Sequence, residues 1–160
     1  MRVCHYSYDS LLKKVFIFPI ARIFLSHYIY KFGIYIPYNI KIGPGFYVGH
    51  FGCIVVNSNS VIGKNCNLSQ GVTIGQSNRG PNKGYPILGD DIYIGPDAKV
   101  FGNIIIGNNV AIGANCVVTK NIPDNSVVVG VPGRVISDMG SFGYVNRIDY
   151  DNILKTNYKL

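Results

Sequence analysis

The sequence predicts an all-β solenoid wound from six-residue units, and two observations carry that prediction. An aliphatic residue returns at every sixth position through most of the chain, and the residue after it is most often glycine. The first series is Ile36, Ile42, Val48 and Ile54; after a two-residue slip it resumes at Val56, Ile62, Leu68 and Ile74. A third series, past an insertion, runs Leu88, Ile94, Val100, Ile106, Ile112 and Val118. All fourteen positions are Val, Ile or Leu, and eight are followed by glycine, at 43, 49, 63, 75, 89, 95, 107 and 113.

A period of six matches neither the 3.6 residues of a helical turn nor the plain alternation of a strand. It fits a short strand plus a turn, three units to a triangular coil, with the aliphatic side chain pointing inward. Each such residue then stacks on its equivalent in the next coil at about 4.8 Å. The Gly or Asn that follows is expected near the corner, where a positive φ suits such residues; "IGNNVAIGANCVV" (106–118) shows two successive units. Fourteen units make between four and five coils, which places the solenoid over residues 34–136.

Before it, "LLKKVFIFPIARIFLSHYIYKF" (11–32) is apolar but interrupted by Lys13, Lys14, Pro19 and Arg22. It lacks the roughly 20 uninterrupted apolar residues of a membrane span. Residues 1–33 are therefore expected to form a helical cap, as a basic amphipathic helix or helix pair, with peripheral membrane contact as the alternative use. Inside the solenoid, "QSNRGPNKGYP" (76–86) loses the period and reads as an extruded loop, either a surface insertion or a lid. Residues 137–160 lose the period again and form a tail that caps the last coil or stays mobile.

Hydrophobic content of 48% with 14% charged residues excludes a disordered chain. The net charge of +7 suits anionic partners of any kind, so the sign alone does not choose among nucleic acid, a phosphorylated cofactor and a membrane surface. Cys4, Cys53, Cys66 and Cys116 show neither CxxC pairing nor zinc-like spacing, so no metal is expected and the thiols read as small buried hydrophobes. With no signal-peptide pattern, the expected compartment is the cytoplasm, extending to the inner face of the membrane.

Residues 36–136 resemble the hexapeptide acyltransferases, within them the serine acetyltransferase branch and its capsule, O-antigen and colanic acid O-acetyltransferase relatives. "KIGPGFYVGHFGCIVV" (41–56) is similar to the segment that carries the catalytic histidine, and "IGANCVVTKNIPDNSVVVGVPGRVI" (112–136) to the C-terminal coils of acetyl-CoA-using members. The resemblance implies a left-handed parallel β-helix, an exception to the usual right-handed crossover. It implies acetyl-CoA as donor, His50 as the catalytic residue, and Ala114, Thr119, Lys120 and Arg134 as CoA contacts. It also implies a homotrimer with the site between subunits, and no nucleic acid partner.

The departures from that pattern bear on the acceptor. The aspartate fifteen residues before the histidine is Tyr35 here, the aspartate beside it is Gly49, and a glutamate that helps hold the amino acid is Ser58. The loop Arg-His-Pro is Gly84-Tyr85-Pro86. Tyr35, Ser58 and Tyr85 thus stand where the acceptor would be held. An amino acid brings an ammonium and a carboxylate, and burying either without a partner is costly. The expected acceptor is therefore a sugar hydroxyl of a surface polysaccharide or its precursor, with L-serine of cysteine biosynthesis as the alternative.

The chemistry needs a base to take a proton from an alcohol as its oxygen attacks a thioester, and imidazole, with an ordinary pKa near 6.5, suits that task. His5 and His27 lie outside the repeat and are not expected to be chemical. Cys53 offers an acyl-carrying nucleophile as an alternative, whereas the resembled family transfers directly. A non-catalytic scaffold is the reading of another class.

Overall fold

A computed structural model describes residues 11–146. His5, the first part of the expected cap and the tail beyond 146 lie outside the described residues. One helix, α1 (Leu11–Phe32), leads into five coils of a left-handed parallel β-helix. The first coil holds β1 (Ile34–Tyr35), β2 (Lys41–Ile42) and β3 (Tyr47–Val48). The second holds β4 (Ile54–Val56), β5 (Val61–Ile62) and β6 (Asn67–Leu68), the third β7 (Thr73–Gly75), β8 (Ile87–Leu88) and β9 (Ile92–Ile94). The fourth has β10 (Lys99–Phe101), β11 (Ile105–Ile106) and β12 (Val110–Ile112), the fifth β13 (Val117–Val118) and β14 (Val127–Val129).

The strands stack into three faces. The first face is β1-β4-β7-β10-β13 and the second is β2-β5-β8-β11. The third is β3-β6-β9-β12-β14, closed by β15 (Arg134–Ser137), which runs antiparallel to β14 after a cis Val131–Pro132 bond.

Twelve of the fourteen periodic residues are buried, and the other two, Ile42 and Val48, pack against that core from the open first coil. A second inward rank lies two residues earlier in each unit: Cys66, Val72, Ile92, Ala98, Ile104, Val110 and Cys116 are all buried. Ile54 belongs to this second rank, because Val56 is the residue that pairs with Ile74. The thiols of Cys66 and Cys116 are core filling, and burial pushes both up from their ordinary range.

The corner chemistry differs from the expectation. Positive φ falls three residues before the inward aliphatic residue, at Asn65, Asp91, Asp97, Asn109, Asn115 and Asn125, and not on the glycine that follows it. Asn and Asp tolerate this region better than other side chains. Those following glycines answer to a packing constraint instead. A Cβ on Gly43 would lie 2.7 Å from the Gly63 backbone, one on Gly63 would strike Gly89, and one on Gly89 would lie 2.9 Å from Gly107. Coil spacing along this edge leaves no room for a side chain.

Over the described residues α1 runs as one helix through Pro19, and it is not amphipathic. Val15, Phe16, Ile17, Ile20, Ile23, Phe24 and Tyr28 are exposed around it. Its window Val15–Phe32 is long and apolar enough to cross a membrane by length and composition, and none of that window is buried. Arg22 turns toward the solenoid, its guanidinium 5.5 Å from the Tyr38 ring and 5.8 Å from Phe18.

Candidate active site

The slip in the repeat is where the site lies. Tyr47 pairs with Asn67 and Val48 with Leu68, an offset of twenty; Val55 pairs with Thr73, an offset of eighteen. Two extra residues therefore occupy the corner between β3 and β4, and His50 sits in that bulge at the edge between the third and first faces. With Gly52 at φ 108° and Cys53 at φ 52°, the chain returns to β4 after the excursion. His50 is exposed, and among the described residues its ring has no hydrogen-bond partner. It borders a recess of about 200 Å³ lined by Tyr47, Gly49, Asn67, Leu68, Ser69, Tyr93 and Asn146.

Tyr35 and Ser58 are brought together, but in a different place. They line a groove of about 440 Å³ between α1 and the first coils, with Arg22, Tyr30 and Tyr38. His50 is not part of that groove.

Loop 76–86 leaves the edge between the first and second faces, across the first face from His50. Its base is a tight hairpin in which the Ser77 and Gly84 amides each donate to the other's carbonyl at 2.9 Å. It folds down over two coils: the Asn103 amide donates to the Asn82 carbonyl at 2.9 Å, and Asn82 Nδ2 donates to the Thr119 carbonyl at 3.0 Å. Tyr85 is 39% exposed at its end.

The four residues expected to meet CoA divide between two edges. Ala114 lies on the edge of His50 three strand steps away, roughly 14 Å at the usual strand spacing, and Arg134 lies beyond it on β15. Thr119 and Lys120 lie on the loop edge, at a corner two residues shorter than the others, since Ile106 bridges Ile122 at an offset of sixteen. All four are exposed. Among the described residues no group of His, Cys, Asp or Glu is arranged to hold a metal.

Sequence reasoning missed Asn67, Ser69, Tyr93 and Asn146. Asn67 and Tyr93 share with Tyr47 the position just before the inward aliphatic residue on the third face, so one outward rank carries two phenols and an amide. That pattern was readable in the repeat. The arrival of Asn146 from the tail was not.

Residues 85–120 match the family described as bacterial transferase hexapeptide (six repeats). A serine acetyltransferase of Synechococcus elongatus is 36% identical over 140 residues, covering 87% of this chain and 55% of that protein. A soybean serine acetyltransferase solved with serine superposes with a TM-score of 0.69 at 32% identity, covering 84% of this chain and 54% of that one. A serine acetyltransferase solved with CoA gives a TM-score of 0.69 at 32% identity, covering 84% of this chain and 53% of that one. The chain spans about half the length of the curated relatives it matches. It is a hexapeptide-repeat protein whose solenoid is similar, in sequence and in fold, to those of serine acetyltransferases.

Proposed function

We propose that this protein is an acetyl-CoA-dependent O-acetyltransferase that uses His50 as general base and L-serine as acceptor, the reaction that feeds cysteine biosynthesis. One observation carries the reading. The histidine that matches the motif is the residue lifted out of the wall by the two-residue bulge, exposed beside a recess, in a chain 36% identical to a serine acetyltransferase. The relatives named above are serine acetyltransferases by name, which supports serine over the sugar hydroxyl preferred on sequence grounds.

In the proposed reaction His50 takes the hydroxyl proton as the oxygen attacks the thioester carbonyl. The C–S bond breaks, and the proton passes from the imidazolium to the departing thiolate. The base contributes about 10²–10⁴-fold, and positioning and oxyanion stabilisation supply more. Transfer is direct. Cys53, exposed three residues on, is not needed as an acyl carrier when the alcohol attacks the thioester itself.

Ala114 and Arg134 on the His50 edge, with Thr119 and Lys120 on the loop edge, fit a CoA arm laid along coil edges with its phosphates toward the last coils. One chain holds these two edges apart across its first face. A homotrimer, in which the loop edge of one copy meets the His50 edge of the next, joins them. It also brings the exposed cations Arg79 and Lys83 of the loop toward an acceptor carboxylate, which answers the loss of the arginine at position 84. Assembly suits α1 better than a membrane surface does. A surface helix gathers its cations on one solvent face, whereas Arg22 is engaged with Phe18 and Tyr38. The free thiols of Cys53, Cys66 and Cys116 fit a reducing cytoplasm.

A sugar hydroxyl is the second reading, favoured by the uncharged residues Tyr35, Gly49, Ser58 and Gly84. The test is thiol release by purified protein from acetyl-CoA. Release that depends on L-serine supports the first reading, and release with uncharged glycans but not serine supports the second. No release with either, and no calorimetric CoA binding, returns the fold to a scaffold.

A further inference from the structure

We propose that the segment after the solenoid is part of the acceptor site, forming one wall of the His50 recess and fitting it to a small polar alcohol. The inference rests on His50 being the base. The tail was expected to cap the last coil or stay mobile, and its described part does neither. Residues 138–146 run back across the outside of the third face, from β15 toward the first coils, and end beside the histidine.

Three anchorages fix this path. Ser141, 2% exposed, donates from Oγ to the Asp91 carbonyl at 2.6 Å, and both its amide and its hydroxyl meet Asn109 Oδ1 at 2.9 Å. The Tyr144 ring stacks on Tyr93, centroids 5.0 Å apart at 30°. Asn67 Nδ2 donates to the Tyr144 carbonyl at 3.3 Å. Two residues further on, Asn146 lines the recess together with His50, Asn67, Ser69 and Tyr93.

Asn67 shows why this wall belongs to a binding site. It is on the outward side of β6, where a polar residue ordinarily meets water, yet it is only 3% exposed because the tail lies over it. Its Nδ2 is used, while its Oδ1 has no partner. A buried acceptor left unpaired is disfavoured, and Asn67 lines the recess beside His50 although its Oδ1 is closed off from solvent. A shift of the tail as the acceptor enters would open it to a donor group of the alcohol, hydroxyl or ammonium, the partner it lacks.

Size narrows the class. About 200 Å³ has room for roughly six or seven waters at about 30 Å³ each, and so for an alcohol of about as many non-hydrogen atoms. Serine is of that size. Tyr144 is a positioning residue in this scheme, since it acts by placing the wall, whereas Asn67 both holds the wall and offers Oδ1 to the acceptor.

The test uses the full chain and three variants, Tyr144→Ala, Tyr144→Phe and Asn67→Ala. It measures L-serine binding by calorimetry, together with the KM values for serine and acetyl-CoA in the thiol-release assay. Tyr144→Ala is expected to weaken serine binding and raise its KM at least tenfold, with the KM for acetyl-CoA within twofold. Asn67→Ala is expected to act in the same direction. Tyr144→Phe keeps the ring stack and the main-chain carbonyl and is expected to stay within twofold of the parent. Serine-dependent turnover that is the same in Tyr144→Ala as in the parent overturns the wall while leaving His50 as base. Turnover with glycans and no serine binding by the parent overturns the small-alcohol class. A rise in both KM values together assigns the tail a structural role only and also overturns the proposal.

Discussion

Cys53, at φ 52°, occupies the corner position that Gly71 fills at φ 71° in the next coil. The equivalent corners further along hold Asp97 and Asn115, also left-handed. Cys53 is the one residue among them with neither glycine's freedom nor an Asx side chain. It lies in the same bulge as His50, so the strain falls at the site. A left-handed residue of this type costs about 1–2 kcal/mol. Cys53→Asn is expected to raise the unfolding free energy by about 1 kcal/mol in urea titrations, and Cys53→Val to lower it. Transfer by Cys53→Asn should stay near that of the parent, since no acyl-cysteine is formed.

The glycines after the inward aliphatic residues make a different prediction. A Cβ on Gly63 would meet the Gly89 backbone and the Asp90 side chain. Relief requires the coils to part, so Gly63→Ala should cost about 1–3 kcal/mol, the range for overpacking. Gly49, whose Cβ would come no nearer than 3.5 Å to the edge of the Tyr47 ring, should accept alanine within about 0.5 kcal/mol. A Gly49→Ala variant destabilised as much as Gly63→Ala would refute the stacking account.

How much of this was legible beforehand follows from where the information sits. The six-residue rhythm is local and repeated, so coil number, core and loop 76–86 were readable from residue types alone. The two-residue slip marks the bulge, and the motif around it singles out His50 as the candidate base. The second inward rank was hidden because it admits Cys, Ala and Val as readily as Ile, leaving no single residue type to recur. The role of the glycines was misassigned because close stacking and positive φ both select glycine. The meeting of Tyr144 with Tyr93 and of Ser141 with Asn109 depends on contacts between distant segments that no period encodes.

Burial pushes the Cys66 thiol from its ordinary 9.0 up to about 12. Between those values the folded protein keeps a proton that the unfolded chain has released. The unfolded state therefore binds fewer protons, and stability falls as pH rises above about 9, by up to about 1.4 kcal/mol per pH unit for this thiol. Cys116 is shifted in the same direction and adds to the fall. Cys66→Ala should cost about 1 kcal/mol at neutral pH and reduce the alkaline slope by one proton. Urea unfolding of parent and variant between pH 8 and 11 reads the difference; parallel curves would refute it.

Ile74 and Leu88 stand fourteen positions apart where six is the rule, so deleting residues 77–84 restores the ordinary spacing. The deletion removes the Asn82 contacts to Asn103 and Thr119, worth about 1 kcal/mol each. The shortened chain is expected to keep its circular dichroism spectrum and lose roughly 1–2 kcal/mol of stability. Acetyl transfer should fall by at least tenfold, because in the proposed trimer the loop of one copy brings Tyr85, Arg79 and Lys83 to the His50 edge of the next. Full activity in the deletion would show that the loop is a tolerated insertion.

His50 can be tested through the bulge as well as through the ring. The ring is exposed and makes no described hydrogen bond, so His50→Ala should change stability by less than about 0.5 kcal/mol while lowering kcat by about 10²–10⁴-fold. Deleting Phe51 and Gly52 returns Val48 and Val56 to a spacing of six and draws the corner back into line with Ser69 and Gly71. That variant keeps the imidazole but withdraws it toward the wall. Its CoA binding should persist, since the proposed CoA contacts Ala114 and Arg134 lie about 14 Å or more away at the last coils, while its transfer rate should drop nearly as far as that of His50→Ala. If the deletion retained transfer, the projection of the histidine would be incidental, and the base would have to be sought elsewhere on this edge.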